Sequence, residues 1–244
     1  MTSMQKQSAT DMFSGRDIAG DANRVLDCVS GGGVAIFPAS VGYAIVGHSE
    51  AAVRRIYAAK QRSYSKPCGW FGNWKLFNQI IDVPDRSRAV VDCVIHKHGL
   101  PLSIVGPFRR NEAFVEAVPD FVLTSASLKG TLDMLLNAGE LHNAIASEAD
   151  RRGVPVVGSS ANLSLTGSKF YLQDVEKEVL DIADLTIDYG EATYRNDKGL
   201  GSTIIDLVSF KTFRVGAVYD RICAVLKEEF SIDLNEIGTD SISG

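Results

Sequence analysis

Between Ala51 and Ile81 the chain carries Arg54, Arg55, Lys60, Arg62, Lys66 and Lys75 and no acidic residue, although its formal net charge is -5. Lys60, Arg62 and Lys66 fall where a helical pattern gives way to Ser63-Tyr64-Ser65, just ahead of Pro67. Three cations on such a turn can close around a polyphosphate, because guanidinium meets phosphate oxygens bidentately and ammonium acts as a point charge. The competing reading is a solvated surface whose cations find carboxylates elsewhere in the fold, and charge alone does not choose. A second group, Ser159, Ser160 and Asn162, follows the apolar run Val154 to Val157. Hydroxyl, amide and free backbone N–H groups at a strand end are suited to a ligand, and equally to a self-capped turn. A third group sets Gly201-Ser202-Thr203 before a strand and Arg214 on the next one, an arrangement for an anion or an ordinary hairpin with an edge arginine. The fourth is the loop Pro38-Ala39-Ser40-Val41-Gly42-Tyr43, with Ser103 similar in type, which could hold a small polar substrate.

Other chemistries find no support in the residue pattern. No P-loop, GxGxxG, HExxH or GxSxG is present. His48, His96, His98 and His142 are scattered and suggest no metal site, and Cys28, Cys68, Cys93 and Cys223 lack CxxC pairing. Free thiols in a reducing cytoplasm are the expectation. At 244 residues, 45% hydrophobic and 23% charged, the composition is that of a globular protein. The acidic balance argues against a broad nucleic-acid-binding face, though not against a local basic pocket. No apolar run approaches a membrane span, and the N-terminus lacks the apolar core of a signal peptide.

The elements that must position these groups alternate between strands and helices. Helical spacing runs over Asp17 to Val29, Ala51 to Lys60, Trp74 to Ile81, Arg86 to His96, Glu112 to Val118, Leu141 to Arg152, Asp174 to Ile182 and Tyr219 to Phe230. Strands are expected at Val34 to Phe37, within Ala39 to Gly47, and at Cys68 to Phe71, Pro101 to Gly106, Phe121 to Thr124 and Val154 to Gly158. Later ones fall at Leu185 to Asp188, Thr203 to Leu207 and Thr212 to Val215. The segment from Ser125 to Glu140 is ambiguous, with helix over Thr131 to Asn137. The pattern implies one α/β domain over residues 17–230, a twisted mixed sheet with helices on both sides, between tails at 1–16 and 231–244.

Taken in order, the motifs resemble the YrdC family, the threonylcarbamoyl-adenylate synthases. The family's Lys-x-Arg-x-x-x-Lys-Pro motif is matched by Lys60, Arg62, Lys66 and Pro67, and its Ser-Ala-Asn-x-Ser motif by Ser160-Ala161-Asn162-Leu163-Ser164. Its Pro-Gly-Pro-x-Thr strand corresponds to Gly99-Leu100-Pro101-Leu102-Ser103, and its late Ser-Thr strand and Arg-x-Gly to Ser202-Thr203-Ile204-Ile205-Asp206 and Arg214-Val215-Gly216. The resemblance spans about Asp17 to Val218. It implies a cytoplasmic nucleotidyltransferase of tRNA modification that uses ATP, Mg²⁺, bicarbonate and an amino acid. Lys60, Arg62 and Lys66 would be catalytic and, with Ser160, Asn162, Ser202 and Arg214, would bind ATP. Ser40, Tyr43, Ser103 and His142 would bind the substrate.

The departures fall on substrate recognition. The family's Pro-Thr-Asp/Glu-Thr-x-Tyr loop has Ala39, Ser40 and Val41 in place of both threonines and the acid. With His142 taken as the histidine of Arg-x-Pro-x-His, the arginine position holds Ala138. Two readings follow: a carbamoyl-adenylate-forming enzyme whose amino-acid pocket has changed and selects less strongly for threonine, and a non-catalytic relative that binds a nucleotide or RNA.

Overall fold

A computed structural model describes residues 16–234. The sequence-defined tails at 1–16 and 231–244 lie outside them except for Arg16 and residues 231–234, where Ile232 and Leu234 are buried in the core. Nine strands form one mixed sheet: β1 (Ala35–Ala39), β2 (Gly42–Gly47), β3 (Gly69–Phe71), β4 (Leu102–Pro107), β5 (Thr131–Leu136), β6 (Val157–Ser160), β7 (Leu185–Thr186), β8 (Ile204–Asp206) and β9 (Thr212–Arg214). Their spatial order is β7-β1-β2-β6-β3-β5-β4-β8-β9. The pairs β1–β7, β3–β5 and β4–β8 are parallel and the others antiparallel. The helices are α1 (Ile18–Ser30), α2 (Glu50–Ala59), α3 (Trp74–Ile80), α4 (Asp85–Asp92), α5 (Ala113–Glu116), α6 (Asp120–Ser125), α7 (Glu140–Arg152), α8 (Lys177–Leu180) and α9 (Tyr219–Phe230).

The pleat explains where the core lies and where it stops. Along β1, Ala35 and Phe37 enter the main core with α1 and α7, while Val34 and Ile36 pack on the other side against Ala52 and Ile56 of α2. Helices therefore cover both faces at the β1–β2 end. Along β5, Leu132, Met134 and Leu136 all enter the main core. Thr131, Asp133 and Leu135 turn to the opposite face, as period-2 alternation requires. On β4, Leu102 and Ile104 likewise enter the core while Ser103 points away. At this end the second face forms a cavity rather than a packed layer.

Four sequence expectations need correction. Phe121 to Thr124 lies in helix α6, begun by Pro119 with Asp120 in the first turn, where a carboxylate complements the helix N-terminus. Thr131 to Asn137 is not helical: β5 pairs with β3 on one side and β4 on the other, so sheet pairing overrides the helix propensity of Leu and Met. The strand expected at Val154 to Gly158 begins at Val157, because the Val154 N–H still caps α7 at Ala149 O (3.0 Å). The helix at Asp174 to Ile182 is shortened to α8 after a 3-10 turn at Leu172–Asp174.

Candidate functional site

The cavity left on the open face has a volume of about 870 Å³, counting its mouth. Its floor is the outward face of β3, β5, β4 and β8, and its walls are the ends of α2, β6 and β9. Lys60 caps the C-terminus of α2, where the helix ends after Ala59. Its side chain is almost fully buried, and Nζ donates to Ser160 O and to Asn162 O, the latter at 2.6 Å. One ammonium thus ties the helix end to the Ser-Ala-Asn turn after β6. Ser164 N returns the connection by donating to Lys60 O (3.0 Å). Glu176 supports that turn from outside, accepting from Leu163 N (3.1 Å) and Thr166 Oγ1 (2.8 Å) while paired with Lys169 (2.8 Å). Burial, with the charge of Arg62 adding to it, lowers Lys60 to about 7. Its charge near neutral pH therefore depends on what anion lies beside it.

Arg62 reaches back to its own turn, donating to Pro67 O (2.8 Å) and Lys66 O (3.2 Å). On the far wall Arg214 donates to Ser202 O (2.9 Å) and Ser202 Oγ (2.8 Å), and Ser202 Oγ lies 2.9 Å from Ser103 Oγ. Burial lowers the arginine from its ordinary value, and the carboxylate of Asp133 opposes the shift. Among the described residues four charged side chains line the cavity: Lys60, Arg62, Arg214 and Asp133. Burial pushes Asp133 up to about 6 against the pull of Arg214, Ser103 and Arg62.

Four buried polar atoms of cavity-lining residues have no hydrogen-bond partner within the protein: Asp133 Oδ1, Ser159 Oγ, Asn162 Oδ1 and Ser164 Oγ. Buried polar groups are overwhelmingly paired, since leaving one unpaired costs about 1–3 kcal/mol. Polar atoms of a ligand, or water, would satisfy all four.

Lys60, Arg62, Ser160, Asn162, Ser202, Arg214, Ser103 and Tyr43 converge on this cavity. Three expected residues do not line it. The Lys66 side chain is outside the lining, and its carbonyl instead accepts from Tyr57 (2.7 Å). Ser40 faces a separate depression with Tyr189 and Ala192. His142 is fully buried against Phe71 (ring centroids 5.5 Å), outside the cavity lining, with Nε2 unpartnered, and burial lowers it to about 4. Tyr43 contributes its ring, while its hydroxyl bonds Asp188 and Gly190 O (2.9 Å). Ala138 packs with Ala39, Val41 and Ala217 rather than in the cavity. The stretch's other cations take the solvated reading, with Arg54 paired to Glu50 (2.8 Å), Arg55 to Asp184 (2.9 Å) and Lys75 to Asp150 (2.8 Å). Asp133 escaped the sequence reading because it sits in the segment taken for helix. The alternation of Leu132, Met134 and Leu136 was the available signal.

A family model of the Sua5/YciO/YrdC type, described as telomere recombination, matches residues 27–216. The chain belongs to the Sua5/YciO/YrdC family. Solved structures share this fold. A hypothetical protein from Streptococcus mutans UA159 is 17% identical with a TM-score of 0.73, over 88% of this chain and 94% of that one. YciO of E. coli is 18% identical with a TM-score of 0.61, over 82% and 89%. Sua5 of P. abyssi, complexed with L-threonine, is 22% identical with a TM-score of 0.66, over 89% of this chain but only 58% of its own. The chain therefore corresponds to just over half of that Sua5. No curated protein matches the chain. Among the described residues, no helix is long and apolar enough to cross a membrane.

Proposed function

We propose that this Sua5/YciO/YrdC protein is a nucleotidyltransferase that forms a carbamoyl-adenylate from ATP, bicarbonate and an amine. The observation that carries the reading is the convergence of Lys60, Arg62 and Arg214 with unpartnered polar atoms on one cavity. In the reaction the amine and bicarbonate join as a carbamate with loss of water. A carbamate oxygen then attacks the α-phosphorus, and the bond to the leaving pyrophosphate breaks. Such chemistry needs no protein nucleophile. It needs anions held in line and developing charge met by fixed donors. Magnesium enters with the triphosphate as part of the substrate.

Each residue then has a physical task. Lys60, already oriented by Ser160 O and Asn162 O, gives its third N–H direction to a phosphate, which restores its charge. Arg62, braced by Pro67 O, presents the rest of its guanidinium to the same phosphates. Asn162 and Ser159 offer side-chain hydrogen bonds, and Arg214 closes the opposite wall. The apolar Ala39 and Val41 at the substrate loop leave a threonine hydroxyl without partners there, which weighs against threonine as the amine.

The test is pyrophosphate release from Mg·ATP and bicarbonate across a panel of amines. Release with at least one amine, dependent on bicarbonate, is the expected result. Binding of ATP without turnover across a broad panel would favour a nucleotide-binding module. A steeply salt-dependent affinity for RNA would point to the nucleic-acid role instead.

A further inference from the structure

A carboxylate in a cavity built for phosphates demands its own explanation. Asp133 is the sole acidic side chain among the described lining residues, and it shares the cavity with three cations. Toward a triphosphate it is repulsive. Arg214, Ser103 and Arg62 offset its burial only in part, two of the Arg214 nitrogens being taken by Ser202, and Asp133 Oδ1 has no hydrogen-bond partner within the protein. The cavity is also kept open beside it. On β3, Gly69 has no need of glycine for its backbone angles, and a Cβ there would come into van der Waals contact with Asp133 Oδ2 at 3.5 Å. The sheet holds the group rigidly, since β5 is paired on both sides, with Val105 opposite Asp133 and Trp70 opposite Met134.

The group that Asp133 meets is not the reacting nitrogen. That nitrogen must be neutral to attack bicarbonate and becomes part of an anionic carbamate, which a neighbouring carboxylate would repel. A cationic group elsewhere on the substrate satisfies both conditions. We propose that Asp133 is a specificity-determining residue for an amine substrate bearing a second nitrogen that stays protonated near neutral pH, the class of diamines and basic amino acids. The inference rests on the adenylate-forming reading for the role of the first amine. The Asp133 carboxylate accepts a charge-assisted hydrogen bond from that second nitrogen, on the floor of the cavity between β3 and β4.

The experiment compares matched pairs by calorimetry on the full chain: L-lysine with L-norleucine, L-arginine with L-citrulline, and putrescine with n-butylamine. In at least one pair the cationic member is expected to bind tenfold or more tightly than its neutral partner. Asp133→Asn should remove that preference while leaving Mg·ATP affinity unchanged or improved. Gly69→Ala, which places a methyl group against Asp133 Oδ2, should reduce the preference in the same direction. Equal binding within every pair, or no binding by any member, overturns the proposal. So does an Asp133→Asn variant whose loss falls on Mg·ATP, which would make the carboxylate a partner of the nucleotide's metal. Mg·ATP titrated alone keeps the two readings apart. Failure of ATP to bind while the cationic preference persists would sink the adenylate-forming reading and leave this subsite standing.

Discussion

At the scale of residues, the account turns on Lys60. A lysine this deeply buried is expensive unless its ammonium has partners, and here two backbone carbonyls supply them while one donor direction remains. With Lys60 lowered to about 7, an anionic ligand raises it again, so ligand binding takes up a proton above neutral pH. ATP affinity is therefore expected to fall as pH rises above 7, and calorimetry in buffers of different ionisation enthalpy should register that uptake. An affinity flat between pH 6.5 and 9 would contradict it. Lys60→Met should abolish the pH dependence, and it should cost roughly 1–3 kcal/mol of stability because Ser160 O and Asn162 O lose their donor. Arg62 is held by two carbonyls at the turn, so Arg62→Ala should leave the fold intact and weaken ATP binding by about 1.5–3 kcal/mol, read in the same titrations. Sequence spacing brought out Lys60 and Arg62 because they flank the end of one helix. It brought out Lys66 with them, since spacing along a turn does not reveal which side chains the turn aims into the cavity.

At the scale of elements, legibility followed how local each cause was. Helix α9 lies where its spacing predicts, from Tyr219 to Phe230, and α2 and α3 fall within a residue of theirs, because an amphipathic stripe is written in consecutive residues. The strand β5 was hidden because Leu and Met suit helices and its pairing partners, β3 and β4, lie far away in sequence. Misreading β5 concealed Asp133 with it. The pairing of β2 and β6, which delivers Ser160 to the cavity, depends on Gly158. A Cβ there would lie 2.0 Å from Ile45 O, a backbone atom that cannot step aside without parting the strands. Gly158→Ala should therefore destabilise the protein by about 1–3 kcal/mol or more in denaturant unfolding, and weaken ATP binding in the fraction that folds. A variant as stable as the wild type would mean that the two strands do not approach this closely.

At the scale of the whole molecule, one sheet carries two different surfaces. Helices cover both faces near β1 and β2, whereas near β5 and β4 one face is packed and the other is the candidate site. The mixed α/β fold and its family were readable because motifs from distant parts of the chain keep the family's order, and residues 27–216 bear that out. Which of those motif residues share a cavity was not readable, since His142 and Ser40 keep their places in the pattern while facing elsewhere. A net charge of -5 disfavours a broad polyanion-binding face, while Lys60, Arg62 and Arg214 gather on one cavity, which suits a small anion better than a polyanion's length. The most direct test of the central claim is pyrophosphate release by the purified chain with Mg·ATP, bicarbonate and the amine panel. The account predicts bicarbonate-dependent release with at least one amine, lost in Lys60→Met and Arg62→Ala. Failure to bind ATP, with no pyrophosphate released from any amine, would contradict it.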